Sequence, residues 1–429
     1  MRGNKTVVFW PESAAGPTNN CIGIGHVLLQ RGHRVAFAVE SSWAGKLDAL
    51  GFEEHLVDLA EPPEGVVDAG QFWKDFISAT APEFRKPTIE QLETVTEPIW
   101  QELADGARYS QDRLAGVLDD VGPDVIVEDN VIAFPALLTA GAPYVRIVSC
   151  NPLEIRDPLL PPVFSGLPTD DDSGWQAFRE EYARTHRDLW QGFNEWVVEQ
   201  GAPPLEDLEF IHPSQHANLY LYPQVADYQR SRPLDPTWQR LDSSVRATDE
   251  AFEVPASLAG GDGSLIYLSL GSLGSADVQL MTRLVEVLAE TPHRYIVSKG
   301  PRHAEFELAD NMWGAETVPQ TNVLPQVDLV ITHGGNNTTT ESFHFGKPMV
   351  LLPLFWDQYD NAQRVQEVGA GARLDAYGFG DEELTDAIDR LLADEPLRDR
   401  MTMNGRRIRA ASGTELAADR IETVAREDR

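Results

Sequence analysis

Cysteine is scarce in this chain: Cys21 and Cys150 are the only two in 429 residues. That excludes a disulfide framework and any CxxC or Cys/His metal spacing, and makes a reducing cytoplasm the expected compartment. Positive charge is scarce too, with 35 Lys and Arg against 68 Asp and Glu and a formal net charge of -33. A field of that sign repels a phosphate backbone, so nucleic acid is not an expected partner, and it favours a soluble, self-repelling protein. Long apolar runs are missing: none approaches the roughly 20 residues needed to cross a bilayer. The basic start leads into only Val7 to Trp10 before Pro11 and Glu12, which is not the pattern of a signal peptide. Internal repeats and low-complexity tracts are also absent.

What is present is an alternation of short strand-like runs with amphipathic helices, the pattern of parallel sheets covered on both faces. The length suits two α/β domains of roughly 200 residues each. In the first half the apolar runs predict strands at Val7 to Trp10, Arg34 to Val39, Val125 to Glu128 and Tyr144 to Ser149. Trp175 to Gln200 reads as a helix, capped by Asp172 and Ser173 and stopped by Gly201. From Tyr222 to Gly263 the periodicity fades and prolines and glycines accumulate, which predicts a linker. The second half restarts with SLIYLSLGSLGS, a strand running into a Gly/Ser loop, followed by a helix with Val278, Met281, Val285 and Leu288 on one face. The expected domains are therefore 1–222, a linker at 223–263, 264–410, and a last helix at 411–429.

The most informative stretch is VPQTNVLPQVDLVITHGGNNTTTESFHFGKPMVLLPLFWDQYDNAQRV, residues 318 to 365. Asp328 to Thr332 reads as a buried strand that delivers His333, Gly334 and Gly335, after which Asn337, Thr338, Thr339 and Thr340 open a short helix. Such a helix start offers unpaired backbone amides, a positive dipole end and hydroxyl donors, all suited to phosphate. The two glycines let the backbone approach a ligand. After the next strand, Met349 to Leu352, come Asp357 and Gln358, an acceptor and a mixed donor/acceptor suited to sugar hydroxyls. Taken singly, a histidine before two glycines is an ordinary strand end and TTTE an ordinary helix cap; their ordered combination points to a binding site.

This stretch closely resembles the donor-site signature of the family 1 glycosyltransferases: PQ, then HxGxNTxxE, GxP and DQxxNA, in order. The resemblance implies a GT-B fold of two Rossmann-like domains facing across a cleft, the first taking an acceptor and the second a nucleotide sugar. Carried across by position, it implies that Gln320 and Glu341 hold the ribose and that the Val318 backbone reads the base. His333, Gly335, Asn337 and Thr338, with Gly271 and Ser272 of SLGS, would bind the diphosphate, and Asp357 and Gln358 the sugar. Thr317 stands where many relatives carry a tryptophan that stacks on uracil, which leaves the nucleobase open: the expected co-substrate is a UDP-sugar or a dTDP-sugar. No permanent cofactor or metal is implied. TDDDS, residues 169–173, reads as an acidic capping cluster before a helix and not as a DxD metal site.

In the first half the family often places GHxxP after the first strand, its histidine taking the proton from the acceptor hydroxyl. Counting back from Arg31, Gly32 and His33, that glycine falls on Gly16 and the histidine on Pro17. His26, about two helical turns further on, reads as a helix residue. PDVIVEDN, residues 123–130, matches the family's PDxxxxD strand end and puts Asp129 where the partner of that histidine stands. The expectation is an atypical base: Asp129, acting directly or through a water, with Ser13, Asn19 and Asn20 holding acceptor or water in line. Phe72, Trp73, Phe76 and Phe84 are candidates for an apolar acceptor wall or for core packing, with Asn130 beside them. The implied activity is metal-independent, inverting transfer of a hexose to an apolar hydroxylated natural product such as a polyketide antibiotic, macrolide, ansamycin or flavonoid, by a cytoplasmic monomer or homodimer. The lost histidine also motivates a non-catalytic sugar-nucleotide-binding auxiliary protein, and the fold a sugar-nucleotide epimerase, against which DQxxNA argues.

Overall fold

A computed structural model describes residues 4–61, 79–261 and 263–426. Val7, Val8, Phe9 and Trp10 are all buried, so this run has no solvent face. It lies in strand β1 (Thr6–Pro11), which pairs in parallel with β2 (Arg34–Val39) and β4 (Val125–Asp129), Val8 standing opposite Ala36 on one side and Ile126 on the other. With β3 (Glu53–Leu56), β5 (Tyr144–Val148), β6 (Ala217–Leu221) and β7 (Trp238–Leu241) these form a seven-stranded parallel sheet in the order β3-β2-β1-β4-β5-β6-β7. The second sheet repeats the scheme with β8 (Leu265–Ser269), β9 (Arg294–Ser298), β10 (Met312–Ala315), β11 (Leu329–Thr332), β12 (Met349–Leu351) and β13 (Gly371–Arg373), in the order β10-β9-β8-β11-β12-β13. In both sheets the strand order reverses beside the first strand, at β1/β4 and at β8/β11. Open parallel sheets bind ligands just beyond the carboxyl ends of their strands at such reversals.

The expected first-half strands lie within a residue or two of those observed. Six strands, β3, β6, β7, β9, β10 and β13, escaped sequence reasoning; of these β3, β7 and β13 are short, polar edge strands that carry no apolar run. One of them, β7, falls inside the stretch expected to be linker and hydrogen-bonds to β6, so the first sheet extends to Leu241. The long helix Trp175–Glu199 is preceded by Gly174 with no side-chain cap, so Asp172 and Ser173 do not cap it. The segment after β1 is helical from its fourth residue: helix α1 spans Ala15–Gln30. Pro17 is accommodated in its first turn, where a missing N–H removes a donor that has no intrahelical partner.

Helix α2 (Glu97–Val121) buries its apolar face on the first sheet. Further on, α3 (Asn336–Phe345) follows β11, and α4 (Gln358–Glu367) follows β12. The last helix, α5 (Gly413–Val424), returns to the first sheet, where Ala417, Ala418, Ile421 and Val424 join Phe9, Cys21, Ile24 and Phe37 in one core. Arg31, just past α1, ties it down with ion pairs to Asp419 at 2.8 Å and Glu422 at 3.1 Å.

Candidate active site

The carboxyl end of β11 hands the chain to His333, and Gly334 (φ +87°) turns it into α3. No side chain caps α3, whose first amides follow Gly335. The His333 imidazole lies between two glycines: a Cβ added to Gly271 would sit 2.7 Å from its Cε1, and one added to Gly335 2.5 Å from its Nε2. Burial pushes the imidazole down to about 4, so it is neutral near pH 7. One turn into the helix, Glu341 is 1 % exposed and accepts from Gln320 Nε2 at 2.6 Å, from Asn337 Nδ2 at 3.3 Å and from Arg246 Nη1 at 3.1 Å. Gln320 also reaches Thr338 Oγ1 at 3.4 Å and accepts from the Tyr267 hydroxyl at 3.1 Å. Burial raises the Glu341 carboxyl above its ordinary value, against the opposing pull of Arg246.

Gln320, Asn337, Thr338 and Glu341 thus form one network with His333, Gly271 and Gly335 beside them, while Val318 packs half-buried against the core. Sequence reasoning missed Arg246 and Tyr267. Arg246 comes from the Pro/Gly-rich stretch between the sheets, held by Asp249 at 2.7 and 3.0 Å, and Tyr267 from the interior of β8; neither carries a motif signal. Asp357, before α4, is buried, accepts from the Asn151 backbone N–H at 2.8 Å and from Asn361 Nδ2 at 3.1 Å, and is pushed up to about 7 by burial. Gln358 spends its side-chain oxygen on the Leu354 and Phe355 amides at 3.0 and 3.3 Å, so that atom shapes the loop and leaves only the amide nitrogen for a sugar.

Facing this network is the β1/β4 reversal. A Cβ on Gly16, in the first turn of α1, would lie 3.7 Å from Asn337 Cβ, so the two helix starts meet across the cleft. Asn336 Nδ2 spans it to the Ser149 and Leu221 carbonyls at 2.7 and 3.1 Å. Asp129 is 2 % exposed; its Oδ1 accepts from Ser149 Oγ at 2.6 Å and its Oδ2 faces Cys21 Sγ at 3.9 Å. Burial pushes this carboxyl up to about 8, so it carries a proton near neutrality. Ser13 is pinned to the end of β2, its Oγ accepting from Glu40 N–H at 2.9 Å. Asn19 is half-buried on α1, whereas Asn20 is buried, with its carbonyl taken by Ser244 Oγ at 3.0 Å. Asn130, expected at the acceptor, turns its Nδ2 to the Trp10 carbonyl at 2.9 Å and is 5 % exposed: it braces β1 and does not line the cleft. Phe72, Trp73, Phe76 and the side chain of Ser272 lie outside the described residues.

An aromatic cluster, drawn from both halves of the chain, packs beside Asp357. Trp100 of α2 stacks on Phe210 at 4.3 Å and meets Trp356 at 5.1 Å, while Phe164 lies 4.2 Å from Trp356. Phe84 is buried and stacks on Phe355 at 4.9 Å. Trp356, next to Asp357, holds a left-handed φ of +60°, a strained conformation for a bulky residue that the packing on either side sustains.

Glu12 was also missed. It is the first residue beyond β1, its N–H donating to the Asp129 carbonyl at 2.8 Å and its carbonyl accepting from Thr18 Oγ1 at 3.0 Å. Its side chain is half-buried and takes no hydrogen bond from the described residues; burial, with Asp357 adding to it, pushes the carboxyl up to about 7. The available signal was positional: an ionisable residue at the carboxyl end of a fully apolar strand.

Residues 207–409 match the family model described as UDP-glucoronosyl and UDP-glucosyl transferase. Oleandomycin glycosyltransferase of Streptomyces antibioticus is 26% identical over 441 residues, covering 97% of this chain and 90% of that protein. A sterol 3-beta-glucosyltransferase of Eremothecium gossypii is 25% identical over 384 residues, 84% of this chain, and the chain spans 29% of its length. Among solved structures, the glycotransferase of kitacinnamycin superposes with a TM-score of 0.68 at 22% identity, over 99% of this chain and all of that one. Its likeness shows the fold, two facing Rossmann-like sheets of the GT-B type. The family model on residues 207–409 and a sequence relative along nearly the whole length support a family 1 glycosyltransferase.

Proposed function

We propose that the chain transfers a hexose, with inversion, from a UDP- or dTDP-sugar to a hydroxyl of an apolar natural product of the polyketide, macrolide, ansamycin or flavonoid kind. The observation that carries this reading is the meeting of two strand-order reversals, one bearing the Gln320–Glu341–His333 network and the other the carboxyls of Glu12 and Asp129. In this reading the first domain, carried on to Leu241, takes the acceptor. Residues 264–410 take the donor, and the last helix couples them. The diphosphate leaves toward the start of α3, where the amides, Thr338 and the His333 ring stabilise its charge. Asp357 holds the sugar, and its reacting carbon passes through an oxocarbenium-like state. Trp100, Phe164 and Trp356 suit an apolar acceptor. Relatives named for oleandomycin and for a sterol support a small-molecule acceptor.

The test is incubation with UDP-glucose and dTDP-glucose, in EDTA, against phenolic and polyketide acceptors, with products followed by mass spectrometry. A hexose-shifted acceptor is the expected result. Donor binding without transfer to any acceptor would overturn the reading in favour of a binding-only protein.

A further inference from the structure

The acceptor side of the cleft holds several carboxyls, and they differ in what their oxygens are free to do. Asp129 is enclosed, with Oδ1 on Ser149 and Oδ2 against Cys21. Glu154, whose charge reaches Asp357, is ion-paired with Arg146. Glu40, at the end of β2, interacts with Asp58 and Glu12. Glu12 alone among these four is anchored through its backbone, half-exposed at the β1/β4 reversal, without a side-chain hydrogen bond to any described residue, and close enough to Asp357 for their charges to interact. Asp357 sits in the motif that would hold the transferred sugar, so Glu12 stands beside the place where a glycosyl acceptor must approach.

We propose that Glu12 is the general base of the transfer, taking the acceptor's proton in place of the histidine that Pro17 replaces. The acceptor O–H bond breaks and its proton passes to a Glu12 carboxylate oxygen. The freed lone pair on oxygen forms the bond to C1 of the sugar. The bond from C1 to the diphosphate oxygen breaks, its electron pair leaving with the nucleoside diphosphate, and the proton on Glu12 then passes to solvent. Asp129 is a positioning residue in this scheme: its carbonyl fixes the Glu12 backbone, and its protonated carboxyl adds no second charge.

The groups facing Glu12 are Glu40 from the end of β2, Asp129 from β4, Cys150 after β5 and Asp357 before α4. All are acids and none is a cation, so nothing in this set holds the carboxyl at its ordinary low value. A base held up to about 7 ionises near neutrality and is a far better match to an alcohol proton than an exposed glutamate. The rate should therefore rise with pH through about 7.

The inference rests on the transferase reading, and the full chain tests both. With an acceptor that the wild type glycosylates, Glu12→Gln is expected to lower kcat by about 10²- to 10⁴-fold, the usual range for a general base. Its affinity for nucleoside diphosphate and its melting temperature should stay near wild type, which checks folding. Glu12→Asp should recover part of the rate. The rising limb of the pH profile should vanish in Glu12→Gln, and the loss should shrink for acidic phenols, which need little help in losing a proton. A wild type that transfers while Glu12→Gln transfers equally well, with the same pH profile, overturns the assignment alone. A wild type that binds donor and transfers to nothing overturns the transferase reading and this assignment together.

Discussion

Arg246 carries two carboxylates on one guanidinium, with Asp249 on Nε and Nη2 and Glu341 on Nη1. Glu341 is 1 % exposed, so removing its only described cationic neighbour strands a buried acid. Arg246→Ala should therefore lower stability by about 3 kcal/mol, the scale for breaking one side of a buried pair. Arg246→Lys should not restore it, because a point charge cannot hold both carboxylates in the geometry of the fork. Denaturant melts check both, and an unchanged midpoint in Arg246→Ala would contradict the account. The same network shows which site residues a sequence reveals. His333, Asn337, Thr338 and Glu341 fall on one continuous strand–helix unit with Gln320 on the short helical turn just ahead of it, so their spacing is visible as a motif. Arg246, Tyr267 and Glu12 reach the site from three separate segments, and only folding gives them a common address. Asn130 shows the converse: proximity in sequence to Asp129 does not aim its side chain at the cleft.

Among elements, burial helps legibility without guaranteeing it, since the interior strands β6 (ANLYL) and β9 (RYIVS) are buried and still went unread. Runs such as VVFW and VIVE are buried on both faces, and their composition announces a central parallel strand. Edge strands such as EEHL, WQRL and GAR need no apolar run, since one edge and part of a face meet solvent, and nothing in their composition marks them. The first helix is legible around His26, and only its start is obscured by Pro17, which is tolerated in a first turn. The start of α5 is under a different constraint: a Cβ added to Gly413 would lie 2.0 Å from the Ser243 carbonyl, a backbone atom with little room to yield. Gly413→Ala should push α5 off the first sheet, at a cost of about 1–3 kcal/mol, typical of overpacking. Thermal melts and limited proteolysis near residue 412 would register it. A variant as stable and as resistant as wild type would show that α5 is not held there.

At the scale of the whole molecule, acidity shapes stability as well as solubility. Burial pushes Glu128, Asp129 and Asp360 up to about 8, and Glu12, Glu40, Glu209 and Asp357 up to about 7. Each folded-state value lies above its unfolded one, so the folded state holds more protons. Their contribution is fully present below about 4 and is lost as pH rises through about 7 to 8. Three histidines, buried His186 and half-buried His333 and His344, are pushed down to about 4 and act in the opposite sense: their contribution is present above about 6.5 and fades as pH falls toward 4. The two sets oppose each other in mild acid, and only the carboxyls act above it, where the net charge of -33 adds its own repulsion. The ligand-free protein should melt several degrees lower at about pH 8.5 than at about pH 6.5, and a flat or rising trend would contradict these assignments.

The reading of the cleft depends most on its nucleotide end, and that end can be tested without knowing the acceptor. The decisive measurement is calorimetric titration of UDP and dTDP, with EDTA present, into the wild type and into Glu341→Ala. The account predicts saturable one-to-one binding of at least one of the two, weakened about tenfold or more in the variant by loss of a buried hydrogen-bonded partner. Absence of binding by either nucleotide, or equal binding by both proteins, would contradict it.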